Sequence, residues 1–82
     1  MTASLEGRIS TVRGAVIDVV FTTGLPAIGD ALDVMRDDAE PLLVEVQAHL
    51  SEHTVRCIAL GATAGLPRGI RVLSRGGPLS VP

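Results

Sequence analysis

Leu42-Leu43-Val44-Glu45-Val46-Gln47-Ala48-His49-Leu50, then Ser51-Glu52-His53, then Thr54-Val55-Arg56-Cys57-Ile58-Ala59-Leu60, is the stretch on which the fold turns. Its first part has two readings. Leu42, Leu43, Val46 and Leu50 form a helical stripe, with Pro41 at the first turn. Alternatively, Leu42, Val44, Val46, Ala48 and Leu50 alternate with Leu43, Glu45, Gln47 and His49, the period of a strand. The alternation accommodates more of the apolar residues, so the strand is preferred. In the last part Val55, Cys57 and Ala59 alternate with Arg56, Ile58 and Leu60. Ser51-Glu52 between the two runs closes a hairpin.

The same period extends outward from this hairpin. Ala15, Ile17, Val19 and Phe21 alternate with Val16, Asp18 and Val20. Shorter strands are expected at Arg8–Arg13, Ala31–Arg36 and Ile70–Ser74, and the broken alternation around Ser10 and Thr11 suits a bulge. Gly14, the Gly24/Pro26/Gly29 segment, Asp37–Pro41 and Gly61–Gly69 supply the turns. Six short strands at close spacing make an all-β domain, a small barrel or sandwich. Closure into a barrel removes the edges that invite aggregation. The interior is expected to hold Ala15, Ile17, Val19, Phe21, Leu42, Val44, Val46, Val55 and Cys57. Val16, Val20, Leu43, Ile58 and Leu60 then point outward. That is a large apolar set for the outside of a small domain, and it reads as a partner surface rimmed by Asp18, Glu45 and Arg56.

Length and composition narrow the function. The 82 residues make one domain, 1–82, with 76–82 read as an extended exit or linker. Hydrophobic residues are 46% of the chain, enough for an aliphatic core, and Phe21 is the one aromatic. A stacking platform for single-stranded nucleic acid needs several exposed rings. The net charge is −2, and the seven cations are all arginines scattered from Arg8 to Arg75 without a basic run. Nucleic acid is therefore not an expected partner. A single cysteine, Cys57, rules out an internal disulfide and a paired-cysteine metal site. The Met1–Glu6 segment has neither a basic nor a long apolar stretch, so no signal peptide is read. No apolar run approaches the roughly 18 residues of a membrane span.

Candidate chemical groups are few. Gly61, Gly65 and Gly69 superficially resemble a phosphate loop, but such a loop needs a lysine for the terminal phosphates, and the chain has none. Pro67 also removes a backbone donor. An ordinary turn-rich connection is the better reading. His49 and His53 are four residues apart, and across a hairpin they approach one another with Glu45 and Glu52 nearby, but no third metal ligand is evident. Exposed polar histidines are preferred. Asp37, Asp38 and Glu40 read as a solvated acidic turn rather than an acid–base pair. Asp18 interrupts an apolar strand and is expected to pair with Arg13 or Arg56 as a structural ion pair. Cys57, with no activating base in view, reads as a buried, inert thiol. No catalytic, cofactor-binding or metal-binding residue is assigned.

Taken together, the blocks Gly7–Phe21, Leu25–Ile28, Leu43–Leu50, Thr54–Gly61, Gly65–Gly69 and Gly77–Pro82 resemble the N-terminal domain of F-type ATP synthase β subunits, in order and over nearly the whole chain. Glu45-Val46-Gln47 with His49-Leu50, and Thr54-Val55-Arg56 with Ile58-Ala59, resemble β rather than α subunits. Pro67 and Ser74-Arg75 depart from the pattern, as a divergent or alternative form of the subunit would. The resemblance implies a small closed six-stranded β-barrel. It implies a structural role, in a crown of three α and three β barrels that alternate at the top of the catalytic hexamer. It also implies α-subunit partners on the outer face and a peripheral place on the cytoplasmic side of the bacterial inner membrane. The family's P-loop and catalytic carboxylate lie beyond this domain. Mg-ATP or ADP thus belongs to the parent subunit, and no cofactor or enzymatic activity is expected of this fragment. The alternatives are a stand-alone oligonucleotide-binding-type barrel and a small enzyme, the latter without visible reactive groups.

Overall fold

The computed structural model describes residues 5–37 and 39–78. Six antiparallel strands run β1 (Glu6–Arg13), β2 (Val16–Phe21), β3 (Asp30–Val34), β4 (Leu42–His49), β5 (Thr54–Ala59) and β6 (Arg71–Pro78). They close into a barrel in the order β1-β2-β5-β4-β3-β6. The stretch with two readings is thus a strand hairpin, β4 and β5. The exit expected over 76–82 begins inside β6, where Pro78 is registered against Asp30 of β3. Residues 79–82 lie outside the described residues, as does the 1–4 segment of the N-terminal reading.

The β1-β2 hairpin is the tightest. Gly14 takes φ 56°, a conformation that costs glycine little, and Ala15 completes the turn. This corrects the interior expectation for Ala15, which is exposed because the chain is still turning there and β2 begins one residue later.

Bulges decide which side chains face inward. In β1, Ile9 pairs with Val19 and Thr11 with Asp18, so Ser10 is the extra residue. Gly7 and Ile9 are buried before it, whereas Thr11 is exposed after it. In β4 the pairing slips between Val46 and Ala48. Leu42, Val44 and Val46 are buried, but Ala48 is only half-buried opposite Arg56, and Leu50 is 45% exposed. The five-residue alternation read in the sequence therefore fills the interior at three positions. One extra residue at Gln47 changes the phase of the rest.

The core is aliphatic around a single ring. Phe21 and Ile17 of β2 pack with Leu32 and Val34 of β3, Val44 and Val46 of β4, Val55 and Cys57 of β5 and Val72 of β6. Small branched side chains fill the narrow interior of a six-stranded barrel, and the whole cluster is removed from water.

Candidate interaction surface

The register of β2 against β5 lays out the outer wall. Val16 stands opposite Ile58, Asp18 opposite Arg56 and Val20 opposite Thr54. On the far side of β5, Ile58 is registered with Glu45 of β4. Beyond the end of β5 the Leu60 amide donates to the Leu43 carbonyl at 2.9 Å, which brings these two residues side by side. Leu60 is 53% exposed, and Val16, Leu43 and Ile58 are half-buried. Four of the five residues expected to face outward thus lie on one stretch of wall formed by β2, β5 and β4. Val20 does not join them. The Asp18–Arg56 pair crosses the wall between Val20 and Val16, where the sequence reading had placed it at the rim. The separation follows from the two-residue step between outward positions on a strand.

That pair is the best-formed polar feature of the barrel. Arg56 donates from Nε to Asp18 Oδ1 at 2.9 Å and from its terminal nitrogen to Oδ2 at 3.1 Å, a two-pronged contact. The Thr11 hydroxyl donates to Oδ2 at 3.1 Å, reaching it because the Ser10 bulge turned Thr11 outward. The Ser10 hydroxyl donates to the Asp18 carbonyl at 3.2 Å. Between the two partners named from sequence, the structure pairs Asp18 with Arg56. The Asp18 side chain is 10% exposed and that of Arg56 41%. The Arg56 hydrogen bonds hold the carboxyl below the usual carboxylate range against the opposing effect of burial, with Thr11 assisting.

The other candidate residues are not assembled into a site. His49 Nε2 is 2.7 Å from the Pro26 carbonyl oxygen, so the ring is tied to the β2-β3 loop, while His53 lies exposed in the hairpin turn. Among the described residues no three histidine, cysteine or carboxylate side chains converge as a metal site would require. Asp37 and Glu40 are exposed, and the Glu40 carbonyl accepts both Arg36 guanidinium contacts. Asp38 lies outside the described residues. In the 61–69 connection the Gly69 amide donates to the Ile9 carbonyl and the Leu66 amide to that of Thr63. Those donors are therefore used within the fold. Cys57 is fully buried, and burial pushes its thiol up to about 12, with the Asp18 charge adding to the effect.

The sequence reading missed a second bidentate pair. Arg75 of β6 donates to both carboxylate oxygens of Asp33 on β3, at 2.9 and 3.1 Å. The alternation of β3 marks Asp33 as outward-facing. Its partner lies 42 positions away and becomes visible only when β3 and β6 pair.

A family model described as the ATP synthase alpha/beta family, beta-barrel domain, matches residues 9–76. The chain is 58% identical over 77 residues to ATP synthase subunit beta 3 of Paraburkholderia xenovorans, covering 93% of this chain and 16% of that protein. It is 55% identical over 82 residues to subunit beta 1 of the same organism, covering 99% of this chain and 16% of the relative. It is 55% identical over 78 residues to subunit beta 2 of Burkholderia thailandensis, covering 94% and 15%. The chain thus spans 15% to 16% of the length of these curated relatives.

Proposed function

The chain belongs to the ATP synthase alpha/beta family, as its beta-barrel domain, and from that membership we propose that it is the assembly barrel of an ATP synthase β subunit. In this reading it alternates with α-subunit barrels in a crown that holds the catalytic hexamer together. Nucleotide binding and hydrolysis belong to parts of the parent subunit outside these 82 residues, and the barrel itself is not an enzyme. The complex places it peripherally, on the cytoplasmic side of a bacterial inner membrane. No helix among the described residues is long and apolar enough to cross a membrane.

The observation that carries the reading is the wall formed by Val16, Leu43, Ile58 and Leu60. A closed barrel has no free sheet edge, so partners must dock on its side chains. An apolar cluster bordered by a fixed Asp18–Arg56 pair and Glu45 has the composition of an interface core with a polar rim. A base-stacking role lacks its ring, because Phe21 is fully buried.

Sedimentation of the chain with the α-subunit barrel from the same genome tests the proposal. A complex is expected at micromolar concentrations. Ile58→Glu is expected to weaken it at least about tenfold, roughly 1.4 kcal/mol, by burying a charge at the interface centre. The variant is expected to melt cooperatively, because Ile58 is half-buried on the outside. No association even at high concentration overturns the assembly role of this barrel. Unfolding of the variant overturns the placement of Ile58 at the interface.

A further inference from the structure

We propose that the β1-β6 side of the barrel is a second docking surface, electrostatic where the β2-β5-β4 wall is apolar, and that it receives a neighbouring barrel through that barrel's carboxylates. The inference rests on the assembly reading, in which each barrel stands between two neighbours. It adds what the second contact is made of.

Strand order places the two surfaces apart. Counting around the closed barrel, β1 is three strands from β4, and β6 is three strands from β5. β1 and β6 therefore lie across the barrel from the strands that carry Leu43 and Ile58.

The charge on this side is unbalanced. Arg8 of β1 is registered directly against Arg71 of β6, and like charges in facing positions are unfavourable. Their one nearby carboxylate is Glu6, at 3.9 Å from each guanidinium, among the ion pairs of the described residues. The carboxylates on the two adjoining strands, β2 and β3, are committed, Asp18 to Arg56 among them. Asp33 is held by both prongs of Arg75, and Asp30 accepts the Ala27 amide at 2.9 Å. Two guanidiniums thus share one distant carboxylate on a chain whose net charge is −2. Both side chains are at least half exposed, and Arg8 spends one contact on the Gly69 carbonyl. An incoming carboxylate between them relieves the repulsion and makes charge-assisted hydrogen bonds.

On the β2 side of Arg8 the surface is hollowed. An open depression of about 370 Å³ runs along Glu6, Arg8, Val20, Thr22 and Thr23. Val20, cut off from the apolar wall by the Asp18–Arg56 pair, lines this depression instead. The side thus offers two guanidiniums and, next to Arg8, the Val20 side chain and two threonine hydroxyls, which suits an acidic segment with a short apolar neighbour.

The test uses the full chain with the α-subunit barrel from the same genome, titrated by sedimentation equilibrium at about 50 and about 500 mM NaCl. Two sites per chain are expected at low salt. One of them is expected to weaken at least roughly tenfold at high salt, since exposed charge contacts are screened. Arg71→Glu and the Arg8→Gln/Arg71→Gln double variant are expected to remove the salt-sensitive site and spare the other. Ile58→Glu is expected to do the reverse. Arg71→Glu trades the repulsion with Arg8 for an attraction and the contact with Glu6 for a repulsion, both at exposed positions, so the melting temperature of the isolated barrel should change little. Loss of binding with undiminished stability separates docking from a structural role. Association that is salt-independent and unchanged in the Arg71 variants overturns this inference alone. Loss of both sites in Ile58→Glu does the same. Absence of association at either salt overturns it together with the assembly reading.

Discussion

At the scale of single residues, the Asp18–Arg56 pair carries unequal burdens. Asp18 is nearly buried, and Arg56 keeps 41% of its side chain in water. Removing the guanidinium strands a carboxylate with one hydroxyl donor, Thr11. Removing the charge of the carboxylate leaves a guanidinium that can turn to solvent. Asp18→Asn is therefore expected to cost about 1–2 kcal/mol in urea unfolding, and Arg56→Met is expected to cost more. Equal costs contradict the asymmetry. The folded pKa of Asp18 is lowered, so its contribution is complete above the unfolded carboxylate value of about 3.9 and is lost as pH falls through the folded value. Asp18→Asn should flatten that acid limb. Cys57 shifts the other way, its thiol raised to about 12 by burial. Its contribution is complete below the unfolded thiol value of about 8.5 and is lost as pH rises. At neutral pH a disulfide reagent should label Cys57 only at the rate of unfolding. Immediate labelling of the native protein contradicts the buried placement.

At the scale of elements, turns and side chains divide the task of setting register. The β1-β2 and β4-β5 pairs are local hairpins, aligned by Gly14-Ala15 and by Ser51–His53. The β2-β5 and β3-β6 pairs join distant segments, and each carries a bidentate Arg–Asp contact on its outer face. β1 is held to β2 by close packing as well. Gly7 faces Phe21, and a Cβ there would lie 2.7 Å from the Val20 carbonyl oxygen and 2.9 Å from a Val19 methyl. Gly7→Ala must push β1 off β2 and is expected to destabilise by about 1–3 kcal/mol in urea unfolding. Gly77→Ala in β6 meets nothing within 4 Å and should change stability little. Equal effects at the two positions contradict the close packing.

At the scale of the molecule, closure turns a sheet into an object that interacts only through its side-chain walls and its two ends. In the 61–69 segment Leu66 packs against the core, the Leu66 and Gly69 amides are already bonded to carbonyls, and Pro67 contributes none. A phosphate cradle needs several free amides converging on one point, with a lysine to reach the terminal phosphates. Titration calorimetry of the chain with Mg-ATP should therefore show no saturable heat at micromolar protein. Stoichiometric binding contradicts this assignment of the loop.

The sequence by itself determined the strands and most of the core. Ile17, Val19 and Phe21, or Val55 and Cys57, are buried because alternation is a property of a few neighbouring residues and survives whatever the strand pairs with. The turns were legible for the same reason, since Gly14 and the Gly61–Gly69 glycines act locally. The bulge at Ser10 left a trace in broken alternation, but the one at Gln47 left none, and the apolar alternation runs on through Ala48 and Leu50 although the inward phase ends at Val46. What only the tertiary structure decided is adjacency across distant strands. It chose Arg56 over Arg13 for Asp18 and supplied Arg75 for Asp33. It separated Val20 from Val16, Leu43, Ile58 and Leu60 and set Arg8 against Arg71. Each of these depends on the register of strands joined late in the chain. That register is set by barrel closure and core packing over the whole molecule, and no local period encodes it.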